Sequence, residues 1–413
     1  MANYNSALSE DFNLTATLGT SYEEYDNKGQ GFGGHLFLIP NKFIFANTNP
    51  LQSGGSQSSS RKSNFAVFGS AELAWRNAVY LTLTGRTDKP SQLVGSVDPW
   101  IFYPSIGLSA VVTDLLSPEV RASLRPALSF LKVRTSYTEV GSPIPFTGLT
   151  PGTITHSIRS GKVEPFDYYP LPDLKAERTR SFELGIDSRW FDGALTFGAT
   201  IYQSNTLNQL LETDLDPGTG YKKLYVQAGN VRNRGIEMTL GFNKKFGPVD
   251  YSTSVTATAN CNKIIKLASG VKNPITGEVF DLTDIAKGRF RLREGGELGD
   301  VYASERIKRD ANGYIEYTAG QSLVTEPTEP YKLGSVNAKW NLGWKHGVSF
   351  KGFDLNVLFT ARLGGIVISK TQAALDKFGV SQASADARNA GGVHLGQGLT
   401  IAPQQYYDAV YNL

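Results

Sequence analysis

Four histidines, one cysteine and a scatter of carboxylates are the side chains with which this sequence could do chemistry. His35, His156, His346 and His394 stand far apart. None has a second ligand at the short spacing that a zinc site uses. Cys261 is the single cysteine, so no intramolecular disulfide forms, and no histidine accompanies it as a base. The expectation for Cys261 is a small buried residue at a strand end. No nucleophile elbow, P-loop or dinucleotide fingerprint is present. The run GQGFGG (Gly29–Gly34) has the composition of a glycine loop but lacks the strand-then-helix context that a phosphate cradle needs. The run DANG (Asp310–Gly313) resembles half of a calcium loop, yet Asn-Gly is a turn signal by itself, and a tight turn is expected. No catalytic residue, metal ligand or cofactor site is expected, and the protein is not expected to be an enzyme. What remains is a set of charges, Glu183, Asp187, Arg189, Glu237, Lys339 and Arg362, spaced along segments of alternating polarity. Such charges suit a polar path, or a wall that meets water or a packed domain.

The elements that position these charges are strands. The chain has 413 residues, with 41 Lys plus Arg against 38 Asp plus Glu, a net charge of +3. No long basic run exists, and Lys244-Lys245 falls in a predicted turn, so nucleic acid is not an expected partner. Charged residues are 19%, below the usual quarter of a soluble domain, while Gly is 43 and Tyr 19. That composition favours β-structure. No apolar run approaches the length of about 18 residues that a spanning helix requires. A mean hydropathy of −0.24 is what a membrane barrel shows, because every second strand residue faces water.

Period-two alternation recurs in segments of roughly ten residues, which is the barrel-strand pattern. In SFELGIDSRWF, Phe182, Leu184, Ile186 and Trp190 share one face, and Glu183, Gly185, Asp187 and Arg189 the other. Asp192-Gly193 follows as a hairpin turn. Next, Leu195, Phe197, Ala199 and Ile201 oppose Thr196, Gly198, Thr200 and Tyr202. The same reading places Leu131, Val133 and Tyr137 against Lys132, Arg134 and Ser136. It places Ile236, Met238 and Leu240 against Glu237 and Thr239, and Val336, Ala338, Trp340, Leu342 and Trp344 against Asn337, Lys339 and Asn341. About eleven such strands are expected, within the barrel range.

The links alternate in length. Short ones are expected at Arg76–Ala78, Asp192–Gly193, Asn243–Val249 and Lys345–Ser349. Long ones are expected at Glu23–Asn64, Val140–Arg180, Thr206–Arg234 and Cys261–Leu333. That asymmetry is the one between periplasmic turns and extracellular loops. Asn49–Asn64, rich in Gly and Ser, reads as a mobile extracellular loop, and SPEVRASLRPALSF as a link holding a short helix. Trp75, Trp100, Phe102, Tyr103, Trp190, Phe191, Trp340 and Trp344 are expected near strand ends, as interfacial girdles. Phe166, Tyr168 and Tyr169 are loop aromatics that either stack on sugars or pack the loop. MANYNSALSEDF carries no secretory signal, so the chain is expected to be truncated at its N-terminus.

Five segments in order resemble the SusC/RagA-like branch of TonB-dependent outer-membrane transporters: WIFYPSIGLSA (Trp100–Ala110), LKVRTSYTEVG (Leu131–Gly141), LKAERTRSFELGID (Leu174–Asp187), AGNVRNRGIEMTL (Ala228–Leu240) and TQAALDKFGVSQASADARNAGGV (Thr371–Val393). Ala176 stands where the family usually has Pro, and Thr138 where it has Gly. The resemblance implies an all-β, antiparallel transmembrane β-barrel with long extracellular loops and short periplasmic turns. Residues 1–413 would then be a partial barrel domain, about half of a 22-stranded barrel, without its plug domain and final strands. It implies a bacterial outer-membrane location and active import of a bulky nutrient, an oligosaccharide or a peptide. The implied partners are a SusD-like surface lipoprotein, the TonB complex acting through the plug, and the lipid bilayer. Two other readings compete: a secreted soluble β-sheet carbohydrate-binding protein, whose greasy residues would pack a dry core between two sheets, and an outer-membrane adhesin or enzyme.

Overall fold

The computed structural model describes residues 1–143, 158–159, 162–163, 166–169, 174–214, 221–273, 276–318, 323–396 and 398–412. Twelve strands join in succession into an antiparallel sheet, to which the short strand Phe166–Tyr168 adds in parallel beside the ninth: β1 (Ala2–Ala7), β2 (Phe12–Leu36), β3 (Thr48–Trp75), β4 (Val79–Pro90), β5 (Ile101–Val111), β6 (Leu128–Ser142), β7 (Glu177–Trp190), β8 (Leu195–Asp214), β9 (Tyr221–Phe246), β10 (Val249–Lys266), β11 (Trp340–Phe350) and β12 (Phe353–Leu363). Each pairs with its neighbours in chain order, an up-and-down meander, and β1 and β12 are paired on one side only. The strand beyond the expected eleven is β1, whose six residues are too few to display a period.

The two faces carry opposite chemistry, and register keeps them apart across the sheet. Ile186 lies opposite Val133 and Ala199, and Ala199 opposite Met238. One residue along, Asp187 lies opposite Lys132 and Gly198, and Gly198 opposite Thr239. A slip of one residue would exchange the faces, so the alternation itself fixes the register. On the apolar face Phe182, Leu184 and Ile186 remain 54%, 41% and 36% exposed, with no second sheet over them. The soluble two-sheet reading fails here. An unburied Leu, Ile or Phe forgoes about 1.5–3 kcal/mol, and a face built of them needs hydrocarbon beside it.

One end of the sheet is closed by tight turns. Arg76 and Asn77 (φ 51° and 51°), Phe191 and Asp192 (54° and 54°) and Lys351 and Gly352 (44° and 86°) adopt the left-handed pair of a tight hairpin turn, in links of three, four and two residues. Three expectations shift accordingly. The turn after β7 widens to the four-residue link 191–194, which contains Asp192-Gly193 and in which the Gly193 amide donates to the Trp190 carbonyl at 3.1 Å. Asn243–Val249 shrinks to Gly247–Pro248, leaving Lys244 and Lys245 in β9. Lys345–Ser349 lies inside β11, because the ladder between β11 and β12 stays intact up to Phe350 opposite Phe353. Trp344 is therefore in mid-strand, and Val336–Lys339 precede the strand.

At the other end the ladders outrun the alternation. β2 and β3 stay paired from Phe12 opposite Trp75 up to Leu36 opposite Thr48. Gly29–Gly34 and Ser53–Asn64 are therefore paired strand, the first no phosphate loop and the second no loose loop. Backbone hydrogen bonds extend such a ribbon without regard to hydropathy, and Gly and Ser give no pattern to read. The same holds for β8 and β9, paired up to Asp214 opposite Lys223. Beyond β10 a separate four-stranded sheet forms from Asp284–Lys287, Phe290–Arg293, Asp300–Ile307 and Thr325–Ser335. Helix Pro118–Leu124, capped by Ser117, fills the link between β5 and β6 as expected. Asp310 to Gly313 is a turn, its carboxylate accepting from the amides of Asn312 and Tyr314 at 2.9 Å. Cys261 is exposed in β10, against expectation, because it shares the outward face with Arg234, its partner on β9, where no layer packs over the sheet. The buried apolar clusters lie at this loop end, the first around Leu93, Ile101, Leu174, Ala176 and Tyr225.

Candidate functional site

The polar face gathers charge on β6 to β9. Glycine makes room for it. A Cβ on Gly185 would stand 2.7 Å from the guanidinium carbon of Arg134, and one on Gly235 would stand 2.4 Å from the Tyr202 ring. Long side chains can therefore lie flat across the wall. Arg134, on β6, reaches over Gly185. Its Nε lies 3.3 Å from Asp187 Oδ2, and its Nη2 donates to Thr200 Oγ1 at 2.6 Å.

Around that bridge Lys132, Asp187, Arg189, Thr196, Thr200, Glu237 and Thr239 line an open concavity of about 580 Å³. A second, of about 280 Å³, shares Lys132 and Arg134 and adds Glu72, Thr82 and Glu183. Thr82 donates to Glu72 at 3.2 Å. The Arg134 and Asp187 side chains are 41% and 45% exposed, so their ion pair is wet and contributes at most about 1 kcal/mol. Cations and carboxylates are interspersed. A wall of one sign would concentrate and retain an oppositely charged solute, and this wall is not of one sign.

Of the six charges singled out in the sequence, Glu183, Asp187, Arg189 and Glu237 come together here. Lys339 does not, because it precedes β11 and lies along Gly364. Arg362 does not either; it sits on β12 opposite Asn341, at the far edge of the sheet. Glu72 went unnoticed in the sequence, although it alternates with Ala71 and Leu73. Lys132 and Arg134 were assigned to the polar face without a role.

The histidines stay apart. His346 lies 3.1 Å from the Tyr251 hydroxyl, and His394 lies 2.7 Å from Thr400 Oγ1. His35 is on β2, and His156 lies outside the described residues. Among the described residues no group of His, Cys, Asp and Glu is placed to hold a metal. Tyr168 and Tyr169 pack the loops. Tyr168 lies against the cluster around Leu93, its ring 5.1 Å from that of Tyr225, and Tyr169 lies against Leu224, Val226 and Ala268. Tyr225 donates to Glu212 Oε2 at 2.8 Å. Burial first, and then that carboxylate, push its phenol far above the usual range. In the loop sheet, burial alone would raise the Asp284 carboxyl, but Arg291 at 2.5 Å and Arg293 at 2.6 Å outweigh it and hold it below its ordinary value.

Comparison with known proteins agrees with this two-faced sheet. The family description "TonB dependent receptor-like, beta-barrel" matches residues 2–365. TonB-dependent receptor P3 of Formosa agariphila is 24% identical over 92% of this chain and 39% of its own length. TonB-dependent receptor P26 of the same organism is 24% identical over 88% of this chain and 38% of its own length. This chain thus spans about two fifths of the curated relatives it matches. A solved structure of the RagAB peptide transporter superposes with a TM-score of 0.68 at 19% identity, covering 88% of this chain and 40% of that one. At that identity the likeness is one of fold: an antiparallel transmembrane β-barrel, of which these twelve strands are a part. No helix among the described residues is long and apolar enough to cross a membrane.

Proposed function

We propose that this chain, which belongs to the TonB dependent receptor-like β-barrel family of the bacterial outer membrane, forms part of the wall of an active importer for a bulky nutrient, an oligosaccharide or a peptide. The observation that carries the proposal is the pairing of an unburied apolar face with a wetted, mixed-charge face. The family is one of transporters and receptors that work with TonB, and the outer-membrane location rules out the secreted soluble reading.

In this reading the two half-paired edges, β1 and β12, meet further strands of a longer polypeptide, and a plug domain of that polypeptide fills the lumen. The charges on β6 to β9 stand toward the tight-turn end and face the plug and the solute that passes it. The long ribbons at the opposite end reach the cell surface, where a SusD-like lipoprotein would deliver substrate. The likeness in fold to the RagAB peptide transporter supports a peptide substrate. Uptake tests the proposal. Cells carrying the full-length gene should accumulate labelled oligopeptides or oligosaccharides, and cells lacking the gene or TonB should not. Equal accumulation in all three strains would contradict it.

A further inference from the structure

The outward face changes character along the hydrogen-bonded rows of β7 to β10. Along β7 its residues are Trp190, Ser188, Ile186, Leu184 and Phe182, and then Arg180 and Arg178. Register carries the change sideways. Arg180 lies opposite Asn205, Asn205 opposite Arg232, and Arg232 opposite Lys263. One row lower, Phe182, Gln203, Arg234 and Cys261 follow one another. Arg178, Arg180, Arg232, Arg234 and Lys263 therefore share one face over β7 to β10. The one carboxylate in the row is Glu139 of β6, opposite Arg180. It accepts from Arg178 Nη1 at 2.7 Å and lies 3.6 Å from Arg180 Nε, cancelling a single charge. Arg234 is steadied by donating to Gln203 Oε1 at 2.6 Å. Arg180, Arg234 and Lys263 are exposed.

The height is informative. Arg180 stands ten residues above Trp190. At about 3.4 Å per residue and a strand tilt of about 40°, that is a rise of roughly 26 Å, close to the ≈ 25 Å apolar band of outer-membrane barrels. On β7 the cations thus begin where hydrocarbon ends, on the side of the long ribbons. Neighbouring strands are about 4.8 Å apart, so Arg232 and Lys263 reach one anion together, and Arg180 stands about 10 Å along. Below them Leu184, Ile201 and Ile236 present branched aliphatic surface in one row.

We propose that this belt binds the phosphate-bearing headgroup of an outer-leaflet lipid, with its acyl chains along Leu184, Ile201 and Ile236. Guanidinium forks match phosphate oxygens in pairs. A row of cations directly above an apolar band has the charge and the layering of such a lipid, which a protein partner or a free anion has only in part. The site depends on the outward face meeting the bilayer. It goes beyond import, because it concerns the outside of the wall rather than its lumen.

The test uses the full-length protein in dodecyl maltoside micelles doped with bisphosphorylated lipid A, with the dephosphorylated lipid and inorganic pyrophosphate as comparison probes. Retained lipid is measured by native mass spectrometry. The variant R180Q/R232Q/K263Q should retain bisphosphorylated lipid at least tenfold less well than the parent. R180K/R232K should retain most of the binding, and K244Q/K245Q, at the opposite end of the wall, should match the parent. Parental binding should weaken steeply with salt and should be lost with the dephosphorylated lipid. Undiminished binding by the triple variant would overturn the proposal. So would competition by pyrophosphate at the same concentration as the lipid, or a triple variant whose sole defect is dissociation of a dimer in lipid-free micelles. Heat-modifiable migration, read on every variant, separates loss of the lipid site from failure of the barrel. If the triple variant fails that check, R232Q alone is measured in its place, with a smaller loss expected.

Discussion

Placing a cation in the middle of the apolar face should destabilise the protein strongly, whereas neutralising a charge one residue away should not. Ile186 is the position to change. It lies four residues from Trp190 and six from Arg180, near the centre of the band, and its cross-strand neighbours on the same face are Val133 and Ala199. An arginine there meets hydrocarbon with no carboxylate in reach, since Glu139 lies three rows above. Charged residues at the midplane of a barrel's lipid face cost about 2–4 kcal/mol, and about 0–1 kcal/mol near the interfaces. Ile186→Arg should therefore lower stability by about 3 kcal/mol, and Phe182→Arg, one row below Arg180, by about 1 kcal/mol or less. Asp187→Asn removes half of a wet ion pair and should cost under about 1 kcal/mol. Urea unfolding of the full-length protein in lipid vesicles, followed by the heat-modifiable gel shift, reads all three. Equal losses at Ile186 and Asp187, or no loss at Ile186, would refute the assignment of the faces.

Three further outcomes follow from particular contacts. Gly235→Ala puts a Cβ 2.4 Å from the Tyr202 ring and 2.6 Å from the Ala259 carbonyl. The overpacking should cost about 1–3 kcal/mol by the same urea assay, and a neutral result would mean that the wall is looser there. Asp284 has a folded pKa below its unfolded value, so its contribution is present at neutral pH and is lost as pH falls through the folded value, below the ordinary 3.8. Amide exchange in Asp284–Lys287 and Phe290–Arg293 should accelerate below that point, and Asp284→Asn should show the fast exchange already at pH 7. Tyr225 has the opposite sign: its raised phenol contributes below the unfolded value near 10 and is lost as pH rises past it. Tyr225→Phe should speed exchange around Leu224 and Val226 and abolish the alkaline response of that segment.

The strands from Leu131 to Phe242 were legible in the sequence because one face meets hydrocarbon and the other water, which writes hydropathy into every second position. The turns at Arg76-Asn77 and near Asp192 were legible because left-handed residues are chemically few. Legibility failed where that contrast is missing. The ribbon from Glu23 to Asn64 is held by backbone bonds that Gly and Ser form as well as any residue, so pattern reading took it for a loop. Lys345 to Ser349 combines Lys, His, Gly and Ser within a strand, and its polarity imitated a turn. Cys261 was assigned a burial that the outward face of the wall does not provide. Of the candidate site, four charges were found by alternation. Lys339 was misplaced because the alternation was extended four residues above the true start of β11.

Period-two solvent access along β7 tests the central claim most directly. With Cys261 replaced by Ser, single cysteines at positions 182 to 187 of the full-length protein in native outer membranes are labelled with a water-soluble maleimide and, separately, with a fluorophore quenched by bromo-lipids. Glu183, Gly185 and Asp187 should label from water and resist quenching, while Phe182, Leu184 and Ile186 should be quenched and resist labelling. Uniform labelling at all six positions, or quenching without alternation, would contradict a wall with hydrocarbon on one side and water on the other.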